Sequence, residues 1–328
     1  MEHVIHKTRL MLAPVQALVL ALLVTSATVR GAGQVEKSET VIEKATEQFE
    51  SSPLQTISLY KGFLLFSGDG GDVVAMVDDG STLLIDSGLD SRATELSAAV
   101  FQATSRPVTR LVSTHWHFDH TGGNTFFGAA GVTIIAHENV KKRLSSMQKV
   151  PFIGLSDGDY PVQALPAVTY SDSLTLQQGS QQLTLVNYGP AHTDGDTVIY
   201  IAPTNVAVVG DIFSNHFYPI IDLSSGGSID GMIHAVDLIL ARTDDTTEII
   251  PGHGPVATRA DLQDYRDMLI RVRQRIQAFI AAGKTIDQVV AASPTKDLNA
   301  IWGKGYVTGD VFTEMVFTSL VNAERSSR

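Results

Sequence analysis

The sequence contains no cysteine among its 328 residues. Disulfides and thiolate ligands are therefore excluded, and any metal site has to be built from nitrogen and oxygen. The absence fits either redox compartment. Positive charge is also scarce. The chain has 24 Lys and Arg against 35 Asp and Glu, a net charge of −11. A polyanion-binding protein presents a basic patch or stripe. Here the dense basic runs are Lys141, Lys142 and Arg143 and the stretch 266–275, which reads as the solvated face of a helix. No nucleic-acid partner is expected. Internal repeats and low-complexity segments are absent too. With 44% hydrophobic and 18% charged residues, the composition is that of a folded globular chain. Its length suits one large domain or two small ones.

A long apolar run occurs at the N-terminus. His3, His6, Lys7 and Arg9 precede residues 10–29, which are almost uncharged and are broken by Pro14 and Gln16. Arg30, Gly31, Ala32 and Gly33 follow. A basic start, an apolar middle and small residues at the exit are the layout of a signal peptide. Gly31 and Gly33 suit the small-residue positions, with cleavage before Gln34; Thr25 and Ala27 are the other option. Residues 1–33 carry Lys7, Arg9 and Arg30 against Glu2, so their removal would leave a net charge of −13. The competing reading is an uncleaved membrane anchor, because the run approaches spanning length. A periplasmic or secreted location is expected, with membrane contact only through an uncleaved N-terminal segment.

Residues 34–54 form a polar segment. Val41, Ile42, Ala45 and Phe49 stand at helical spacing, so it reads as a short surface helix or a loose linker. From Gln55 onward short apolar stretches alternate with turn signals. Asp78, Asp79 and Gly80 mark a hairpin. Asp86 follows an apolar strand and reads first as a turn residue, with orientation of a ligand histidine as the alternative.

The segment His115-Trp116-His117-Phe118-Asp119-His120 follows the apolar pair Leu111 and Val112. In an extended segment, side chains two apart share a face, so His115 and His117 can point together at one metal. Asp119 and His120 lie beyond, where the chain turns, and can point to a second position. A lone histidine near a strand end is usually a packed or hydrogen-bonded residue. Four such groups packed together without a metal would bury polarity at a cost of kilocalories each. Imidazole and carboxylate are the ligands that suit Zn²⁺ and its neighbours. The design recurs downstream. Apolar strands lead to His192, to Asp211 after Gly210, and to His253 after Gly252. His137 reads as structural or as a support behind the ligands, and His216 as a surface histidine, with lining of the pocket as its alternative. Residues 261–282 carry Leu262, Tyr265, Leu269, Val272, Ile276 and Phe279 on one helical stripe. Residues 286–292 and 310–320 also read as helices.

The set His115, His117, Asp119, His120, His192, Asp211 and His253, in this order, resembles the metallo-β-lactamase superfamily. The resemblance spans roughly residues 57–258. It implies an α/β (α+β) fold: a four-layer αββα sandwich over residues 55–260, with residues 261–328 as a C-terminal helical extension packed on it. It also implies two metal ions, taken as Zn²⁺. His115, His117 and His192 would bind the first. Asp119, His120 and His253 would bind the second, with Asp211 bridging and Asp119 orienting the attacking hydroxide. The cysteine-bearing β-lactamases place a thiolate where this chain has Asp211 and a lysine soon after it. Neither is present. The aspartate looks more like glyoxalase II and lactonases, whereas the segment Ala191-His192-Thr193-Asp194-Gly195-Asp196 looks like the β-lactamase version.

The expected function is thus an exported zinc hydrolase acting on a small carbonyl substrate: β-lactam, lactone, ester or thioester. A mononuclear iron dioxygenase of the persulfide type and a metal-binding maturation factor without turnover are the alternatives. Substrate contacts are expected from the loops around Phe63 and Phe66, 150–168 and 213–218. Nothing in the sequence sets an oligomeric state.

Overall fold

Two runs of short apolar strands, each followed by helices, set the architecture. The computed structural model describes residues 33–60, 63–68, 70–78 and 80–326. The segment read as a signal peptide thus lies almost wholly outside the described residues, and residues 34–328 form one compact unit. The chain starts with α1 (Gly33–Ser51) and four strands, β1 (Gln55–Tyr60), β2 (Phe63–Ser67), β3 (Val73–Val77) and β4 (Thr82–Ile85). Helix α2 (Ala93–Thr104) crosses to β5 (Val108–Val112). The short helices α3 (Phe118–Thr121) and α4 (Asn124–Ala129) lead to β6 (Thr133–His137) and α5 (Glu138–Leu144). A small hairpin of β7 (Gln148–Val150) and β8 (Leu155–Asp157) precedes β9 (Val168–Tyr170). The first sheet has the order β1-β2-β3-β4-β5-β6-β9, and its last four strands are parallel.

The second sheet takes β10 (Ser173–Gln178), β11 (Gln181–Val186), β12 (Val198–Ala202), β13 (Val206–Ser214) and β14 (Glu248–His253) in sequence order. Helix α6 (Ile229–Arg242) connects the parallel pair β13 and β14. The C-terminal part is helical: α7 (Arg259–Ala281), α8 (Ile286–Ala291), α9 (Asn299–Trp302) and α10 (Gly309–Ser326). A capping box of Thr258 and Asp261 starts α7, and the positive φ of Gly283 ends it.

Strand side chains alternate between faces, so each sheet has two apolar faces to bury. Leu65, Val74, Leu83 and Val112 of the first sheet meet Leu183, Ile199, Val208 and Ile250 of the second in one buried cluster. On the outer face of the first sheet, Ala75, Leu84 and Leu111 pack on Leu96 and Val100 of α2 and Phe127 of α4. On the outer face of the second, Ala207, Val209 and Ile249 pack on α6, α7 and α10. The order is helix, sheet, sheet, helix. The expected αββα sandwich and its helical C-terminal region are therefore present.

Several local expectations change. His115 and His117 do not lie on an extended strand, because β5 ends at Val112; His117 is the residue that starts α3, and Asp119 and His120 sit within that helix. Asp211 is not a strand-end residue either. Strand β13 runs on to Ser214, and Gly210, with φ of +53°, bends it. Residues 34–54 are no loose linker. Helix α1 buries Val41, Ala45 and Phe49. Phe63, Phe66 and Phe213 are core residues rather than rim residues.

Candidate metal centre

The functional groups gather at one edge of the two sheets, carried there by the strands and the loops that follow them. The segment after β5 delivers His115, His117, Asp119 and His120. The second sheet delivers His192 after β11, Asp211 from β13 and His253 at the end of β14. None of the seven is more than 8% exposed. They form two groups: His115, His117, His192 and Asp211, and then Asp119, His120 and His253. Within each group the candidate ligand atoms all lie within 4.8 Å of one another. Asp211 faces both. Its Oδ1 is 3.0 Å from His120 Nε2, and its Oδ2 is 3.4 Å from His253 Nε2 and 3.7 Å from His192 Nε2. Asp119 Oδ2 lies 3.2 Å from His253 Nε2.

Four of the histidines are held by their outer ring nitrogens. His120 Nδ1 donates to Asp86 Oδ2 at 2.8 Å, and His117 Nε2 donates to Asp222 Oδ2 at 3.2 Å. His192 Nδ1 donates to the Ile220 carbonyl at 2.8 Å. Thr114 Oγ1 donates to Asp86 Oδ2 at 2.8 Å, so it accepts from His115 Nδ1 at 3.1 Å. These partners fix ring orientation and tautomer, as supports of ligand histidines do. Each leaves the other nitrogen facing inward. His115 Nε2 is buried with no hydrogen-bond partner. His117 Nδ1 and His192 Nε2 face each other at 2.9 Å, so a proton or a cation has to lie between them. An inward-facing set of five imidazoles and two carboxylates, with an orphaned ring nitrogen, fits divalent cations of the zinc type. Two glycines permit the crowding. A Cβ on Gly71 would overlap the His120 ring, and one on Gly252 would overlap Asp211 Oδ1.

The histidines differ in charge preference, and the split does not follow the two groups: burial opposes charge on His117, but Asp222 raises it above its ordinary pKa. Burial, with help from the nearby His120, holds His115 well below its ordinary pKa. Burial and His117 push His192 down to about 4. Burial also opposes charge on His120 and His253, yet Asp211 and Asp119 overcome it and hold both well above the ordinary value. Burial works against Asp211 as well, but His253, His120 and His115 keep it well below the usual carboxylate range.

The chain matches the metallo-beta-lactamase superfamily over residues 67–272. It belongs to that superfamily. The hydroxyacylglutathione hydrolase of Polaromonas sp. is 26% identical over 190 residues, which are 55% of this chain and 60% of that protein. The metallo-beta-lactamase type 2 of Bacteroides fragilis is 21% identical over 180 residues, covering 55% of this chain and 67% of that one. The chain thus spans well short of the full length of both relatives. Among solved structures, a metallo-beta-lactamase from Pontibacter korlensis superposes with a TM-score of 0.57 at 19% identity, over 66% of this chain and 99% of that one. The DIM-1 metallo-beta-lactamase gives 0.56 at 18%, over 67% and 99%.

All seven residues expected from the sequence to be ligands meet at this metallo-beta-lactamase-fold edge. Asp86 takes its alternative role, as the acceptor that orients His120. It holds a φ of +64° in doing so. His137 is structural, as expected: it caps α5 by accepting from Asn139 N and donates to the Ser171 carbonyl at 2.7 Å. His216 is exposed. Sequence reasoning missed four residues. Asp222 holds His117. Asp72 has a buried Oδ2 without a hydrogen-bond partner, and burial pushes its pKa up to about 7. Phe49 of α1 stacks on His253 with ring centroids 5.7 Å apart and an interplanar angle of 7°. Tyr306 meets both rings edge-on. Asp72 carries a faint signal, since it follows Gly70 and Gly71 just before a strand. The other three carry none that spacing could reveal.

Proposed function

We propose that the chain is an exported hydrolase that holds two zinc ions and cleaves a small carbonyl substrate: an ester, lactone, thioester or β-lactam. The observation that carries this reading is the Asp211 carboxylate. It lies 3.0 Å from His120 on one side and 3.7 Å from His192 on the other, and so is shared by two groups that each suit one ion. His115, His117 and His192 would hold the first ion, and Asp119, His120 and His253 the second. Metal ions in such a pair lower the pKa of bound water and polarise a carbonyl oxygen. The protein's own residues supply the rest. Asp86 and Asp222 hold His120 and His117 in register, and Asp119, buried beside His253, would orient the attacking hydroxide. The two sequence relatives, a hydroxyacylglutathione hydrolase and a metallo-beta-lactamase, support carbonyl hydrolysis without choosing among its substrates.

The test is elemental analysis of protein purified without added metal, run beside a hydrolysis screen of esters, lactones, thioesters and β-lactams. Two zinc per chain and turnover of one class are expected, with metal lost in His117→Ala and Asp211→Ala. One iron per chain would replace this reading with the oxygenase. Full metal content in both variants would overturn the ligand set. For export, the expected result is a periplasmic or secreted protein whose first residue is Gln34, read by N-terminal sequencing. A chain that retains Met1 in the membrane fraction would point to the anchor instead.

A further inference from the structure

Beside His253 the site opens into a cavity of about 270 Å³. Its floor and its walls come from different parts of the chain. Ser67, Asp72, Ser214 and His253 line it from within the region 67–272 that matches the superfamily. Gln48, Phe49, Ser52 and Gln55 line it from the N-terminal side of that region, and Gly305 and Tyr306 from the C-terminal side. Phe49 lies flat on the His253 imidazole. The Tyr306 ring stands edge-on to Phe49 at 5.8 Å and to His253 at 6.3 Å. Two aromatic rings added from outside the family region therefore flank a proposed metal ligand. Arg92 fixes this wall to the floor. Its Nη1 donates to the carbonyls of Phe49 at 3.0 Å, Ser52 at 2.8 Å and Gly68 at 2.5 Å. The first two of these are carbonyls at the end of α1, which a helix leaves unsatisfied.

The lining also has a sign. Among the described residues that line the cavity there is no Lys or Arg, and Asp72 is its carboxylate. The buried Oδ2 of Asp72 has no hydrogen-bond partner. An anionic group entering here would find no Lys or Arg to pair with, and the His253 imidazole at the cavity's edge is already faced by the Asp119 and Asp211 carboxylates. Amide and hydroxyl side chains and two aromatic faces instead suit an uncharged chain.

We propose that Phe49 and Tyr306 form the wall that binds the acyl portion of the substrate, and that the cavity selects uncharged acyl groups over anionic ones. This deepens the hydrolase reading and rests on it. The two fail separately in one experiment, which compares zinc-loaded protein acting on p-nitrophenyl hexanoate and on its matched ω-carboxylate, the p-nitrophenyl monoadipate. The neutral ester is expected to have the higher kcat/KM, by about tenfold. Phe49→Ala and Tyr306→Ala are expected to raise its KM several-fold with kcat and metal content little changed, as loss of uniform binding does. Gln48→Lys, at an exposed helix position that tolerates the change, should narrow the preference by favouring the monoadipate. Equal or reversed preference in the active protein overturns the charge selection. An unchanged KM in both aromatic variants overturns the wall. Failure of the zinc-loaded protein to hydrolyse either ester counts against the hydrolase reading and removes the inference with it.

Discussion

Asp86 carries more of the site than its place in a turn suggests. Its Oδ1 accepts from Thr114 N at 2.7 Å, while Oδ2 accepts from Thr114 Oγ1 and His120 Nδ1, both at 2.8 Å. One carboxylate thus orients His120 directly and His115 through a hydroxyl. Removing such a support costs roughly 10–100-fold in metal affinity. Asp86→Ala is expected to lose affinity in that range in a competition titration against a chelator, with the fold kept by circular dichroism. Affinity equal to the parent's would mean that the hydrogen bond to His120 does no positioning. A second carboxylate acts on stability rather than on metal. Asp244 lies in the loop before β14, the strand that carries His253. It accepts from Thr246 N at 2.9 Å and Asn205 Nδ2 at 3.1 Å. Hydrogen bonds from the Thr246 side chain and backbone, then from Asn205, lower its pKa from 3.8 to about 2. A depressed folded-state pKa adds stability that is present above the unfolded value and lost as pH falls through the folded one. Asp244→Ala should therefore be less stable than the parent at pH 7, and the gap should begin to close below pH 4. Urea unfolding across pH 7 to 3 reads it, and a gap that stays constant or widens on acidification contradicts the assignment.

At the scale of elements, legibility followed how local each cause is. His115, His117, Asp119 and His120 sit within six residues, so their spacing alone announces a site. His192, Asp211 and His253 were legible because each follows an apolar run that the burial of its side chains forces into a sheet, although His192 lies in the loop after β11 and Asp211 inside β13. The detailed geometry was less so. Strand β5 stops at Val112 and the motif turns at once into α3, and Gly210 lets β13 bend and continue past Asp211. Helix α6 has its apolar residues Ile229, Met232, Val236 and Ile239 at plain helical spacing, a signal that attention to the flanking strands passes over. Asp222, Phe49 and Tyr306 reach the site only through tertiary packing, which no local pattern encodes. The C-terminal helices show the energetic side of that packing. Phe312 of α10 is fully buried and stacks on Tyr218 with centroids 4.9 Å apart, within the cluster that joins α10 to α6 and α7. Phe312→Ala should cost about 3–5 kcal/mol in urea unfolding. Tyr218 also lines the cavity beside His253, so the same variant should raise KM. A loss below about 1 kcal/mol would show that α10 relaxes to fill the space, since the cost depends on how far a site can collapse.

For the molecule as a whole, the site lies where the two sheets meet, and its residues divide between them. His115, His117, Asp119 and His120 follow a strand of the first sheet. Asp211 and His253 belong to the second, and His192 lies in the loop that follows its strand β11. Each of the two groups in the centre takes residues from both sheets. Bound ions would therefore join the layers at that edge, while Leu65, Val74, Leu183 and Ile199 hold them together along the middle. The apolar contact needs no metal, so the chelated protein is expected to stay folded at 25 °C, with an unchanged far-ultraviolet spectrum. Its stability should fall all the same. An ion that binds the folded chain and not the unfolded one adds about 4 kcal/mol when its free concentration is 1,000 times Kd. The unfolded chain keeps some affinity through its histidines, which reduces the gain. Thermal melts with zinc and with a chelator should thus separate by several degrees. The separation should shrink strongly in Asp211→Ala, which removes the carboxylate common to both groups and leaves the inter-sheet core untouched. Coincident melts in the parent protein would mean that the seven residues do not join the sheets through a metal. Equal separations in the parent and in Asp211→Ala would place the stabilising ion elsewhere.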